Sequence, residues 1–128
     1  MAVDHGGIDV PMICSATVAQ YCFVKGSGST GDTIAHATAA TDAPIGITQE
    51  AITYAAGGSN AVNVRVAGTS KLKLGGTVNH GAGIIAGTAG VGMPSTPTSS
   101  DYIAARALNY GVSGDIIEVV LNPITKCN

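Results

Sequence analysis

The clearest pattern along the chain is an alternation of apolar and polar positions. From Ala61 to Ala67, Val62, Val64 and Val66 fall on one side and Asn63 and Arg65 on the other. That is the period of a strand with one buried face. Gly68 breaks the run, and Ser70 to Leu74 alternates again, with Leu72 and Leu74 inward and Lys71 and Lys73 outward. Outward lysines suit an edge strand, where they deter pairing with other chains. Thr17 to Lys25 is rich in β-branched and aromatic residues and predicts another strand.

The remaining segments are shorter. Gly26 to Gly31 reads as a loop, and Thr33 to Ala40 fits either a helical turn or an extended piece. Pro44 disfavours helix at Ala43 and ends that segment. Ile45 to Tyr54 predicts one or two short strands, and Gly75 to Gly92 a loop-rich stretch around Val78, Ile84 and Ile85. Met93 to Asp101 carries two prolines and reads as a surface loop. Tyr102 to Asn109 fits helix or strand. Ile116 to Leu121 is a strongly apolar strand that Pro123 should end. Residues 1 to 12 hold Val3, Ile8, Val10 and Met12, but His5-Gly6-Gly7 and Pro11 interrupt any period. They predict an arm, frayed or docked elsewhere.

Short strands between glycine-rich turns predict an all-β fold: a small single-domain β-barrel or β-sandwich over 13–128, with an extended N-terminal arm over 1–12. A faint echo runs through it. Ile45-Gly46-Ile47, a glycine turn and Val62 to Val66 resemble Ile103-Ala104-Ala105, Gly114 and Ile116 to Leu121. The match is too weak to establish a duplication.

Composition adds a constraint. The chain has 128 residues, enough for one domain with a real core. Its hydrophobic content is 45% but its aromatic content only 4%, so Ala, Val and Ile must fill that core. Such side chains bury little area each, which points to help from an oligomer or partner. Six Lys+Arg against eight Asp+Glu give a net charge of −2, not the basic footprint of a nucleic-acid binder. No apolar run approaches a membrane span. The first residues lack the basic and apolar regions of a secretion signal, so the sequence predicts none.

Candidate chemistry is sparse. Cys14, Cys22 and Cys127 have neither disulfide-framework nor zinc spacing. Cys14 or Cys22 with His5, His36 or His80 would be the only nucleophile and base on offer. No motif supports that pairing. Glu50 and Glu118 sit in alternating segments, where an outward-facing carboxylate is expected. Asp115 follows Gly114 in ordinary turn chemistry. Tyr21, Phe23, Tyr54, Tyr102 and Tyr110 are expected to pack in the core or an interface. The sequence predicts no enzyme, no cofactor and no metal site.

Four segments resemble the phage head decoration family, the small capsid cement proteins. They are Tyr21-Cys22-Phe23-Val24-Lys25 with Thr30-Gly31-Asp32, and Ala39-Ala40-Thr41-Asp42-Ala43-Pro44-Ile45-Gly46-Ile47. The third is Val62-Asn63-Val64-Arg65-Val66-Ala67-Gly68; the fourth runs from Ala105-Arg106-Ala107-Leu108 to Gly114-Asp115-Ile116-Ile117-Glu118-Val119-Val120-Leu121. The glycine usual before the A-L element is replaced, since Ala104 and Ala105 stand there. The resemblance implies a non-enzymatic virion protein on the outer capsid surface, made in the host cytoplasm. Its implied partners are the major capsid protein, whose subunits it would bridge and cement, and further copies of itself, commonly as a homotrimer. Neither nucleic acid nor membrane is among them. A head fibre base or tail protein is the alternative. Val3, Ile8, Val10 and Met12 are the candidate capsid contacts.

Overall fold

The computed structural model describes residues 6–27, 31–95 and 101–126. Nine strands fill about half of that length: β1 (Gly7–Cys14), β2 (Phe23–Ser27), β3 (Thr33–His36), β4 (Gly46–Thr48), β5 (Ala61–Lys73), β6 (Gly83–Ala86), β7 (Gly92–Pro94), β8 (Tyr102–Ala107) and β9 (Ile116–Lys126). A 3-10 turn, Thr88–Gly90, joins β6 to β7. The all-β expectation is met in one nine-stranded sheet, ordered β1-β3-β2-β4-β5-β9-β8-β6-β7.

That order closes on itself. β1 pairs with β3 at one end and also with β5, so β1, β3, β2, β4 and β5 form a ring of pairings. The second half does the same. β5, β9, β8, β6 and β7 follow one another, and Leu74, just past β5, bridges Gly92 of β7 in parallel. The two rings share β5.

The echo in the sequence is a structural repeat. Val18 and Ile52 exchange two backbone hydrogen bonds, and Val78 and Gly111 exchange the same two. Tyr21 N–H donates to Thr48 O at 2.9 Å, as Gly81 N–H donates to Ala107 O at 2.8 Å. Tyr21 and Gly81 both hold a left-handed backbone, at φ 60° and 84°. Even a side-chain cap recurs: Asn63 N–H donates to Glu50 Oε1, and Glu118 N–H to Asn109 Oδ1. Phe23↔Ile47 and Val24↔Gly46 correspond to Gly83↔Arg106 and Ile84↔Ala105. The sequence echo is therefore real but one residue out of register, since Gly46 corresponds to Ala105, not Ala104.

Each ring has its own filling. Cys14, Val18, Val24, Ile34, Val62 and Val64 pack the first. In the second, Leu74, Val78, Ile84, Ile117 and Val119 take the places of Cys14, Val18, Val24, Val62 and Val64, and Ala105 and Ala107 pack with them. Phe23, Ala37 and Ile47 of the first half belong to the second cluster. β2 is thus buried on both faces, Val24 inside its ring and Phe23 at the junction. That strand also starts later, at Phe23, because the left-handed Tyr21 turns the chain just before it.

Several expectations need correction. Residues 7–12 are not an arm standing off the domain. They lie in β1, paired with β5 from Gly7↔Gly68 to Ile13↔Ala61, and the 12/13 boundary falls inside that strand. Gly7 interrupts the apolar period because a Cβ there would strike the Ala67 carbonyl. Gly68 does not end a strand but lies within β5 at φ +92°. Lys71 and Lys73 are not on an edge strand, since β5 stands between β4 and β9 in the sheet. Pro123 does not stop β9; it lies where the register with β8 shifts between Ile103↔Thr125 and Ala105↔Leu121, a place a strand tolerates proline. Thr33–His36 and Tyr102–Ala107 resolve as strands, and Met93 and Pro94 belong to β7.

Phe23 is fully buried between the halves, so its loss should destabilise both together. Phe23→Ala should cost about 3–5 kcal/mol in urea unfolding. A single transition followed by probes in both halves is expected; two separated transitions would contradict the shared core.

Candidate interaction surface

β1 presents its side chains to alternate sides. On one side lie Ile8, Val10 and Met12. Met12 is half-buried against the first core, together with Val66. Ile8 and Val10 remain open, at 62% and 38% exposure. The structure thus brings three of the four candidate contacts onto one side of one strand. Val3 lies outside the described residues, as do His5 and Cys127.

The strand is locked in place by charge. Arg65 Nε donates to Asp9 Oδ1 at 2.6 Å, and a terminal nitrogen reaches Asp9 Oδ2 at 3.2 Å. The other terminal nitrogen donates to Thr69 O at 3.0 Å. The Arg65 side chain is only 9% exposed, so this two-point contact is better shielded from water than an ordinary surface pair. Alternation alone places Arg65 outward; β1 lying alongside is what buries it. Asp9 and Arg65 are the positioning residues that the sequence pattern does not reveal.

The other side of β1 carries Pro11 and Ile13. They line an open groove of about 470 Å³, with Gly26 and Thr33 on the facing strands, Ile45 just before β4, and Asp32 among its walls. Ile13 and Ile45 are 48% and 40% exposed. Nearby hydroxyls bond one another: Ser15 Oγ to Ser27 Oγ at 2.7 Å and Ser27 Oγ to Thr33 Oγ1 at 3.1 Å. The second half has its own open apolar residues, Tyr110, Val112 and Ile116.

The titratable groups serve the fold. Cys14 and Cys22 are buried free thiols, and burial pushes both up. A nearby Lys73 charge opposes that rise at Cys22. Raised thiols are poor nucleophiles at neutral pH. His36 Nε2 accepts from Ala19 N–H at 3.0 Å, and burial lowers its pKa. Asp42 is held low mainly by the Thr38 backbone N–H, with Lys25 Nζ at 3.1 Å also contributing. Glu50 faces outward, but Glu118 does not; it lies in β9, opposite Lys71 of β5, and is only 7% exposed. Among the described residues no three His, Cys, Asp or Glu side chains cluster as a metal site, and no helix is long and apolar enough to cross a membrane.

No family model and no curated protein matches this chain. Among solved structures, the chain is similar to the N base of head fibre gp8.5 of bacteriophage phi29. The two share 16% identity with a TM-score of 0.71, over 90% of this chain and 93% of that one. At that identity the likeness is one of fold.

The His36 contact predicts a pH dependence. Nε2 must be unprotonated to accept, so the contribution is complete above the ordinary value of 6.5 and shrinks as pH falls below it. Unfolding free energy should fall between about pH 7 and pH 5, and His36→Gln should flatten that slope. An unchanged slope in the variant would contradict the assignment.

Proposed function

We propose that this chain is a structural phage protein of the virion exterior that decorates the mature capsid and clamps neighbouring major capsid protein subunits. The observation that carries the reading is the fold shared, along nearly the whole of both chains, with a phage head fibre base. The four segments that resemble the head decoration family give it independent support. Such a protein acts through differential affinity: by binding the expanded lattice more tightly than the immature one, it stabilises the expanded form. It works through broad contact surfaces, and self-association, as a trimer, belongs to the reading. The fold supports a second reading equally, the base of a head fibre. Both readings give a role without catalysis at the outside of the head.

The proposed capsid contact is the side of β1 that carries Ile8 and Val10. Deleting residues 1–12 is a poor test of it, because the deletion removes most of β1 and with it the Asp9–Arg65 pair. Paired substitution Ile8→Asp and Val10→Asp keeps the strand and changes only open positions. In sedimentation with purified capsids, the unaltered chain should pellet stoichiometrically with expanded capsids and not with procapsids. The double variant should lose about tenfold or more in affinity, the effect of about 1.4 kcal/mol. Failure of the unaltered chain to bind expanded capsids would overturn the decoration reading.

A further inference from the structure

The groove beside β1 has a counterpart in the second half, and there it is filled from within the chain. Val24 corresponds to Ile84, Cys14 to Leu74 and Ile34 to Gly92. Counting along the strands from these pairs, Met12 corresponds to Leu72, Ile13 to Lys73, Gly26 to Ala86, Asp32 to Gly90 and Ile45 to Ala104. In the second half these places seat the segment Tyr21-Cys22-Phe23. Lys73 N–H donates to Tyr21 O at 2.9 Å, and Lys71 Nζ lies 5.7 Å from the centre of the Tyr21 ring. A Cβ on Gly90 would stand 2.5 Å from Phe23 O and 3.0 Å from Cys22 Cβ. Phe23 packs in one cluster with Leu72, Ala86 and Ala104, all of them buried. In the first half the corresponding Gly26, Asp32 and Ile45 are exposed and Met12 is only half-buried.

The glycines mark the same place independently. Every other described glycine holds a positive φ or would press a Cβ against a neighbour within 4 Å; Gly26 and Gly31 do neither. Both line the groove. Glycine inside a strand weakens it, and where the fold itself makes no use of it, it marks the close approach of another chain. We propose that the groove is a docking site for an apolar segment of another protein that carries aromatic side chains, seated as Tyr21-Cys22-Phe23 is seated in the second half. A second copy of this chain does not offer that segment, because its own second half already holds it, with Phe23 fully buried. Asp32 stands where Gly90 meets the Phe23 backbone, and it is the one charged side chain among the described residues that line the groove. The charges next to it pair with each other, Lys25 with Asp42 and Asp9 with Arg65. A Lys or Arg beside the partner's aromatic residues would therefore meet an unmatched carboxylate. This goes beyond the decoration reading: it uses other residues than Ile8 and Val10 and needs no capsid.

The probe is a blocked peptide with the sequence of residues 17–25, Cys22→Ser, which carries both aromatic residues and ends in a lysine. Added to the isotope-labelled chain up to about 2 mM, it should shift the backbone amide signals of Ile13, Gly26, Thr33 and Ile45 saturably, with a Kd of about 1 mM or tighter. The same peptide with Tyr21→Ala and Phe23→Ala should not bind. Gly26→Leu in the chain fills the groove from a position with no described neighbour, so thermal unfolding should be unchanged within a few degrees while affinity falls about tenfold or more. Asp32→Asn should weaken binding by about threefold and lower its salt dependence. No shifts at the groove, equal binding by the Gly26→Leu chain or by the double-alanine peptide, or shifts confined to Leu72, Ala86 and Ala104 would each overturn the proposal. So would self-association of the chain, without peptide, that Gly26→Leu abolishes, because the occupant would then be a second copy. The titration contains no capsids, so its failure leaves the decoration reading standing, and failure to bind capsids leaves this site standing.

Discussion

The backbone of β5 must serve two rings of strands at once, and Gly68 is where it does so. On one edge Gly68 pairs with Gly7 of β1; on the other it pairs with Leu121 of β9. Its φ of +92° is a conformation that glycine adopts readily and other residues avoid. Space forbids a side chain as well: a Cβ there would fall 2.7 Å from Gly7 Cα and 2.9 Å from Gly6 O. One residue further along β1 the register slips between Ile8 and Asp9. This bulge lets the first half of β5 close one ring while the second half opens the next. The Asp9–Arg65 contact fastens β1 beside that crossing. Without the crossing, each half would be a partial ring of short strands with little apolar area to bury.

The halves keep their backbone pattern while trading side chains. Cys14 faces Ile34 in the first ring; Leu74 faces Gly92 in the second. A small residue beside a large one becomes a large residue beside the smallest, so the volume is roughly kept. Cores tolerate exchanges of this kind. Gly92 in turn admits Leu72 and Ile84, whose side-chain atoms would lie 2.6 and 3.0 Å from a Cβ there. The scarcity of aromatic residues follows the same logic. Small rings are filled by Val, Ile, Leu and Ala, and Phe23 is spent at the junction, where a larger side chain ties one half to the other.

Much of this fold was legible in the chain, and the illegible part has a physical cause. Alternation at Val62 and Val64 and at Leu72 and Leu74 marks both halves of β5, but Gly68 reads as a break because its pairing on two edges is a long-range fact. Thr17-Val18 and Thr77-Val78 are among the few repeated residues; the repeat lives in hydrogen bonds that tolerate almost any side chain. Gly6-Gly7 and Pro11 look like an irregular arm because nothing local announces that β5 waits beside them. Arg65 and Glu118 follow a two-residue period outward and are buried by strands distant in sequence. The candidate surface was legible in part. Ile8, Val10 and Met12 stood out as apolar residues in an irregular terminus, whereas Ile13, Ile45 and Ile116 sat in apolar segments whose burial depends on the three-dimensional pairing.

The proposed role, decoration of a capsid without catalysis, fits a chain of this kind. The buried thiols and the hydrogen-bonded His36 are part of the packing, and the side chains that meet solvent include several Ile, Val and Tyr. An apolar surface that would be a liability on a free monomer suits a protein held on a lattice. Imaging virions made with and without this protein tests that account most directly. The account predicts that compact density disappears from the outer surface of the head at subunit junctions while the shell beneath is unchanged. Heads that look the same in both preparations, or density lost elsewhere in the particle, would contradict it.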